Sequence, residues 1–334
     1  MSLIVLIPVI LLGIVGALCF AGCVLQTGGL ATPFNDYTNG TVRGETSLMV
    51  FWPLNDKLKE TDNPAPAIEI QSNIPSSYID MATAPELYPW LGTPVGNPPG
   101  PDVASADAGN GSILFNQPGI VAGDAVDPAN PSALQPCVVV NGCYVEAPFN
   151  PKFVPLGSFT AEAWVRVGWS STDTHAWRFV LDMRDANPGR GFGILARAED
   201  NQPGVYRWVA MVGNGAAGSA GVTSVPSIDT IALTDGATPV KPVYLALTFD
   251  GKAMTLFVDG ESQGSMDVAY MPNTAQPIWI GAGAPFVAKR PGGIGPLFPW
   301  VGALQDVAIY GAALDATAIR KHFNNGQGID PPQE

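Results

Sequence analysis

Charge is scarce in this sequence. Asp, Glu, Lys and Arg make up 13% of 334 residues, with 16 basic against 29 acidic. The net charge of −13 excludes nucleic acid and anionic lipid heads as partners, because both demand a Lys/Arg surface. Histidine is scarcer still. His175 and His322 lie far apart, without the spacing of a metal site and without a nucleophile motif nearby. No strand-like stretch carries the alternate Glu and Asp that would flank a glycosidic bond, and the adjacent Glu199 and Asp200 would point to opposite faces of a strand. The Gly-rich run at 189–193 precedes no helical pattern, so it makes no phosphate loop. Together these absences predict that the protein is not an enzyme and needs no organic cofactor.

Glycine and proline are plentiful, 38 and 32 residues, which favours a turn-rich β protein over a helical one. Residues 3–25 are uncharged and almost wholly apolar, long enough to cross a bilayer as one helix. A cleaved signal peptide would show Lys or Arg before the apolar run, and none is present. Phe20, Ala21, Gly22 and Cys23 loosely match a lipobox that would lipidate Cys23, but the basic start is missing there too. Residues 1–26 are therefore expected to be a single-pass transmembrane anchor, with the N-terminus cytoplasmic and everything after it periplasmic or extracellular. Gly13, Ala17 and Ala21 recur every four residues, so one helix face is small enough for a neighbouring helix to approach closely. The alternative is the ordinary abundance of Gly and Ala in membrane helices.

Residues 27–46 are polar and lack periodicity, and read as a linker. From residue 47 onward, period-two alternation dominates. Phe159, Ala161, Ala163, Val165 and Val167 share one strand face, and Val243, Leu245, Leu247 and Phe249 share another. Turns at Asp250-Gly251 and Asp259-Gly260 make 243–266 a three-stranded meander. Further strands are expected at 277–281 and 301–310. A short helix should begin at the capping residue Asp315, present Ile319 and Phe323 on one face and stop at Gly326. Two stretches break the pattern, 57–135 and 213–240, and read as long loop insertions. Residues 329–334 form a tail. Cys137 and Cys143, on the oxidising side of the membrane, read as a local disulfide, with two buried free thiols as the alternative.

Several segments, in order, resemble one family. Residues 140–148 followed by Ser158-Phe159-Thr160-Ala161-Glu162-Ala163-Trp164-Val165 are similar to the entry strands of a laminin-G-like jelly roll of the concanavalin A-like lectin/glucanase superfamily. Leu247-Thr248-Phe249-Asp250-Gly251 and Leu256-Phe257-Val258-Asp259-Gly260 continue the likeness. Leu304-Gln305-Asp306-Val307-Ala308-Ile309-Tyr310 and Ala313-Leu314-Asp315 close it, and residues 47–54 look like the first strand, which pairs beside the last. The resemblance implies an all-β sandwich over 47–328 behind the transmembrane helix. It departs from the family before Ala246, where a Trp-His pair is usual, and at Gln305, where an acid is usual. Some relatives hold calcium at the sandwich rim, for which Asp182, Asp185, Glu199 and Asp200 are the oxygen donors on offer.

The aromatics suggest a binding surface. Trp90, Trp169, Trp177 and Trp300, with Trp208, lie in or beside predicted loops, where they could stack on sugars or anchor a protein interface; the alternative is core or rim packing. The expected function is a non-catalytic accessory subunit whose sandwich braces or caps a larger membrane complex, photosynthetic or respiratory. Its partners would then be other membrane subunits, with the bilayer contacted through residues 3–25. The alternative is a surface lectin that binds glycan or matrix.

Overall fold

The computed structural model describes residues 37–54, 65–67, 76–80, 112–115, 143–171, 176–186, 188–199, 202–231, 233, 240–283 and 298–327. The anchor at 1–26, its Gly13, Ala17 and Ala21, Cys137, Asp200, Trp90, His175 and the tail at 329–334 lie outside these, and so does the side chain of Cys143. Among the described residues no helix is long and apolar enough to cross a membrane.

The described residues are mostly strands. They are β1 (Leu48–Trp52), β2 (Ala65–Ala67), β3 (Ser76–Asp80), β4 (Ile113–Phe115), β5 (Cys143–Ala147), β6 (Phe159–Val167), β7 (Trp177–Asp182), β8 (Asp185–Ala186), β9 (Gly189–Arg190), β10 (Phe192–Glu199), β11 (Gln202–Gly213) and β12 (Val222–Thr230). After these come β13 (Val243–Phe249), β14 (Ala253–Val258), β15 (Glu261–Asp267), β16 (Ile278–Ile280) and β17 (Gly302–Tyr310), and then helix α1 (Ala316–Gly326).

Two antiparallel sheets stack face to face. One runs β1-β17-β6-β13-β14-β15, with β4 also paired to β17; the other runs β12-β11-β10-β7-β16-β5-β3-β2. Alternation decides which side chains fill the gap. Phe159, Ala161, Ala163 and Val165 of β6 meet Ile194, Ala196, Ala210 and Val212 of the facing sheet in one continuous core. Strand β17 is shared between two neighbours. β4 pairs with Gly302–Leu304, and β1 pairs with the end of the strand from Val307 to Tyr310. Between them Asp306 adopts φ 50° and donates its amide to the Pro53 carbonyl. This bulge shifts the register against β6 and lets one strand serve both partners.

The meander, the last strand and the capped helix match the expectations from sequence. Asp315 accepts from the Ala318 amide at 2.8 Å. Three expectations need correction. Residues 213–240 are not simply a loop, since they carry β12, the edge of the eight-stranded sheet. Its Pro226 sits opposite Val209 in an edge strand, where a missing N–H is tolerated. Residues 57–135 likewise supply β2, β3 and β4. The expected linker at 27–46 is, from Tyr37 on, part of the folded unit: a single π-helical turn at Tyr37–Val42 buries Tyr37 and Val42 against the outer face of the seven-stranded sheet.

Candidate functional site

Two places gather chemically able side chains, and the first is sealed. Glu162 lies on the outer face of β6, opposite Ala246 on β13 and Ala308 on β17. The two alanines leave room for the carboxylate, while Tyr244 and Tyr310 reach it from the diagonal positions. Tyr310 donates its hydroxyl to Oε1 at 2.6 Å, Tyr37 to the same oxygen at 3.3 Å, and Tyr244 to Oε2 at 2.5 Å. His322 of α1 places Nδ1 2.9 Å from Oε2 and Nε2 3.4 Å from Glu45 Oε1. Asn325, one turn on, donates to Thr41 Oγ1 at 2.8 Å. The cluster therefore ties the segment after Tyr37, helix α1 and the sheet together.

Its electrostatics follow from burial and pairing. Desolvation pushes the Glu162 carboxyl up, but the charge and hydrogen bond of His322 and the two tyrosine donors outweigh it and hold the group below the ordinary range. For His322, desolvation pulls downward and the carboxylates of Glu162 and Glu45 prevail, raising it. Burial, joined by the Glu162 charge, lifts Tyr37, Tyr244 and Tyr310 well above their usual value. A His-carboxylate pair this connected could move protons. Glu162 and His322 are both 0% exposed, so the pair is sealed within the packed elements it joins, as a structural lock would be.

The second place is the outer face of the eight-stranded sheet. Phe179, Leu195, Val209 and Met211 form an apolar row there, covered in part by Phe298. Residues 298–300 lie along the strands as a strap. Phe179 donates its amide to the Phe298 carbonyl, Trp300 donates to Gly281, and the Arg178 guanidinium holds the Pro299 carbonyl at 3.0 Å. Phe298 keeps φ at 57°, a conformation that is uncommon for a bulky residue and is sustained by its surroundings. Beside the apolar row runs a polar one. Arg197 on β10 stands opposite Trp177 on β7 and opposite Arg207 on β11. Two residues along from Leu195 it shares that residue's outward face. Arg207 is paired with Glu199 and donates to the carbonyls of Ser227 and Ile228. Trp177 is half-buried, its ring 5.0 Å from Phe298 and 6.2 Å from Phe179.

Of the calcium donors expected from sequence, the described ones, Asp182, Asp185 and Glu199, form no metal-holding group with one another. Asp182 is buried and gripped by Arg184, whose Nε and Nη2 donate to its two oxygens at 2.7 and 3.2 Å. Glu199 is engaged by Arg207, and Asp185 lies in the β8–β9 hairpin opposite Arg190. Among the described residues no group of three or more acidic, His or Cys side chains could hold a metal ion. Of the tryptophans proposed as interface anchors, Trp169 and Trp300 are core residues, meeting edge to face at 4.9 Å, with Trp208 stacked on Trp300 at 6.0 Å. Trp177, by contrast, is only half-buried. Arg197 and Arg207 were not singled out from sequence. Their signal is weak: each alternates with an apolar neighbour, and only the strand register places them side by side.

A family model described as the concanavalin A-like lectin/glucanases superfamily, of laminin-G type, matches residues 141–320, more than half of the chain. Among curated proteins none matches this sequence. Similar solved structures include the binding domain of botulinum neurotoxin DC in complex with SialylT, 15% identical with a TM-score of 0.40, covering 56% of this chain and 40% of that one. Another is the binding domain of Paraclostridial Mosquitocidal Protein 1, 16% identical with a TM-score of 0.37, covering 54% and 40%. A third is a botulinum neurotoxin type C structure whose description states that cell entry depends upon interaction with two ganglioside molecules. It is 15% identical with a TM-score of 0.40, covering 56% and 41%. The chain thus spans about two fifths of the length of these structures.

Proposed function

Because the chain belongs to the concanavalin A-like lectin/glucanases superfamily, we propose that it is a non-catalytic, lectin-like binding domain whose ligand is a glycan. The apolar run at 3–25 would hold it on the outer side of a membrane. The observation that carries the reading is the outer face of the eight-stranded sheet. It offers a half-open tryptophan beside two arginines on rigid strands, while the buried carboxylate that pairs with a histidine is sealed from solvent. An aromatic ring beside fork-shaped donors suits a sugar, which presents both a hydrophobic ring face and hydroxyl groups. A glycan array probed with the intact protein tests this. Saturable binding to a defined saccharide, retained without calcium, is the expected result; an array with no signal sinks it.

A second reading is favoured by the lock around Glu162. In it the protein is an accessory subunit that braces a larger membrane complex. Eleven residues at most, 26–36, separate the apolar run from Tyr37, and an extended chain of that length spans about 40 Å. With Tyr37, Thr41 and Glu45 all fastened to the sandwich, an anchored chain would hold the domain close to the bilayer, as a brace requires. Extraction in mild detergent should then retain other membrane subunits in fixed stoichiometry, and an isolated protein would remove this reading.

A further inference from the structure

We propose that the outer face of the eight-stranded sheet selects an acidic saccharide, with Arg197 taking the carboxylate or sulfate of one sugar residue beside the Trp177 ring. The inference rests on the glycan reading above and narrows it.

Arg197 and Arg207 stand directly opposite each other on antiparallel strands. At that position the Cβ atoms are about 5 Å apart, and like charges so placed destabilise a sheet. One of the two is relieved, since Arg207 has Glu199 and two carbonyl oxygens. Arg197 has no hydrogen bond or ion pair among the described residues. In a chain with 29 acidic residues against 16 basic ones, no carboxylate among the described residues is placed on this guanidinium. A ligand anion accounts for it. The planar five-donor fork of arginine matches a carboxylate or sulfate in two parallel hydrogen bonds, stronger than neutral ones.

The neighbours of Arg197 make this a site and not an isolated charge. Trp177, directly across the other strand pair, is half-buried and fixed by ring contacts to Phe298 and Phe179, so its ring is held in one orientation. Both residues sit on strands in the middle of the sheet, where position is held more precisely than on loops. The surrounding charge limits the ligand further. A net charge of −13 repels an extended polyanion, so the fit is to a short saccharide with one acidic residue.

The test uses the intact protein and an array of saccharides in three matched forms: carboxylated, sulfated and neutral. The two acidic arms separate the possible sources of the anion. The acidic form should bind at least about tenfold more tightly than its neutral parent, the range expected of a charge-assisted hydrogen bond. Arg197→Gln should abolish that preference, so that acidic and neutral forms bind alike, and Arg197→Lys should restore only part of it. A thermal midpoint in both variants no lower than that of the native protein shows that the sheet is intact. Equal binding of acidic and neutral forms, or an acid preference that survives Arg197→Gln, overturns this inference and leaves the glycan reading standing. No binding to any of the three forms overturns both.

Discussion

Replacing Glu162 with Gln should expose the energetic role of the buried lock. In the native protein one carboxylate serves three tyrosine hydroxyls and the His322 ring at 2.5–3.3 Å, with no solvent contact. Glutamine keeps the shape but removes the charge, and its amide nitrogen is a donor facing groups that also donate. Removing one partner of a buried ion pair costs about 3–5 kcal/mol, because the other charge is left uncompensated. With a urea m-value of about 3 kcal/mol/M for a domain of this size, the midpoint should fall by about 1 M or more. The pH dependence supplies the sign. Glu162 is held below the ordinary carboxyl value of 4.5, so its contribution is present above that value and is lost as pH falls through the depressed folded value. His322 is raised above 6.5, so its contribution is complete below 6.5 and is lost as pH rises through the folded value. The lock is therefore strongest between about pH 4.5 and 6.5, the ordinary values of the two groups. Glu162→Gln should flatten that maximum as well as lower it. A midpoint shift under about 0.3 M, or a pH profile unchanged in shape, would refute the reasoning.

Other perturbations reach different parts of the account. Tyr37→Ala empties a fully buried site between the π-helical turn and Trp164, whose rings meet at 6.2 Å. It should cost about 3–5 kcal/mol in urea unfolding, whereas a free linker residue would cost nothing. Asp182→Asn leaves the buried Arg184 guanidinium without its charge partner, and should lower stability by about 3 kcal/mol to the same extent with and without calcium. A loss seen only in calcium would return Asp182 to the role of a metal ligand. Gly326→Ala places a Cβ 2.3 Å from Trp164 Cζ2, so the melting temperature should fall despite the better helix propensity of alanine.

The fold was largely legible because its strands alternate cleanly. Residues 159–167 and 243–258 carry their pattern in the sequence, and the turns at Asp250-Gly251 and Asp259-Gly260 leave little freedom in the register between them. Strand β12 was hidden, since Gly, Ala, Ser and Thr dominate 213–240, and an edge strand with an exposed Ile228 shows no apolar alternation. The docking of Tyr37 was hidden for another reason. Its partner Glu162 lies 125 residues away, the His322 partner of Glu45 lies 277 away, and polar flanking residues disguise two buried apolar ones. His322 has neither metal-site spacing nor a nucleophile motif to mark it. Its place three residues after Ile319, on the face that packs, was the available sign, but a buried histidine shows its purpose only when its carboxylate is known. The tryptophans illustrate the opposite error. Trp169 and Trp300 looked like loop aromatics, and the sandwich draws them inward because each has a large apolar area to bury. Arg197 and Arg207 become a pair only through the β10–β11 register, which composition does not carry.

The central claim is that this sandwich binds a saccharide and turns nothing over. The most direct measurement is the glycan array with intact protein, followed by product analysis of whichever saccharide is retained. The account predicts saturable binding with the bound sugar recovered unchanged. A blank array, or release of a shortened sugar, would contradict it.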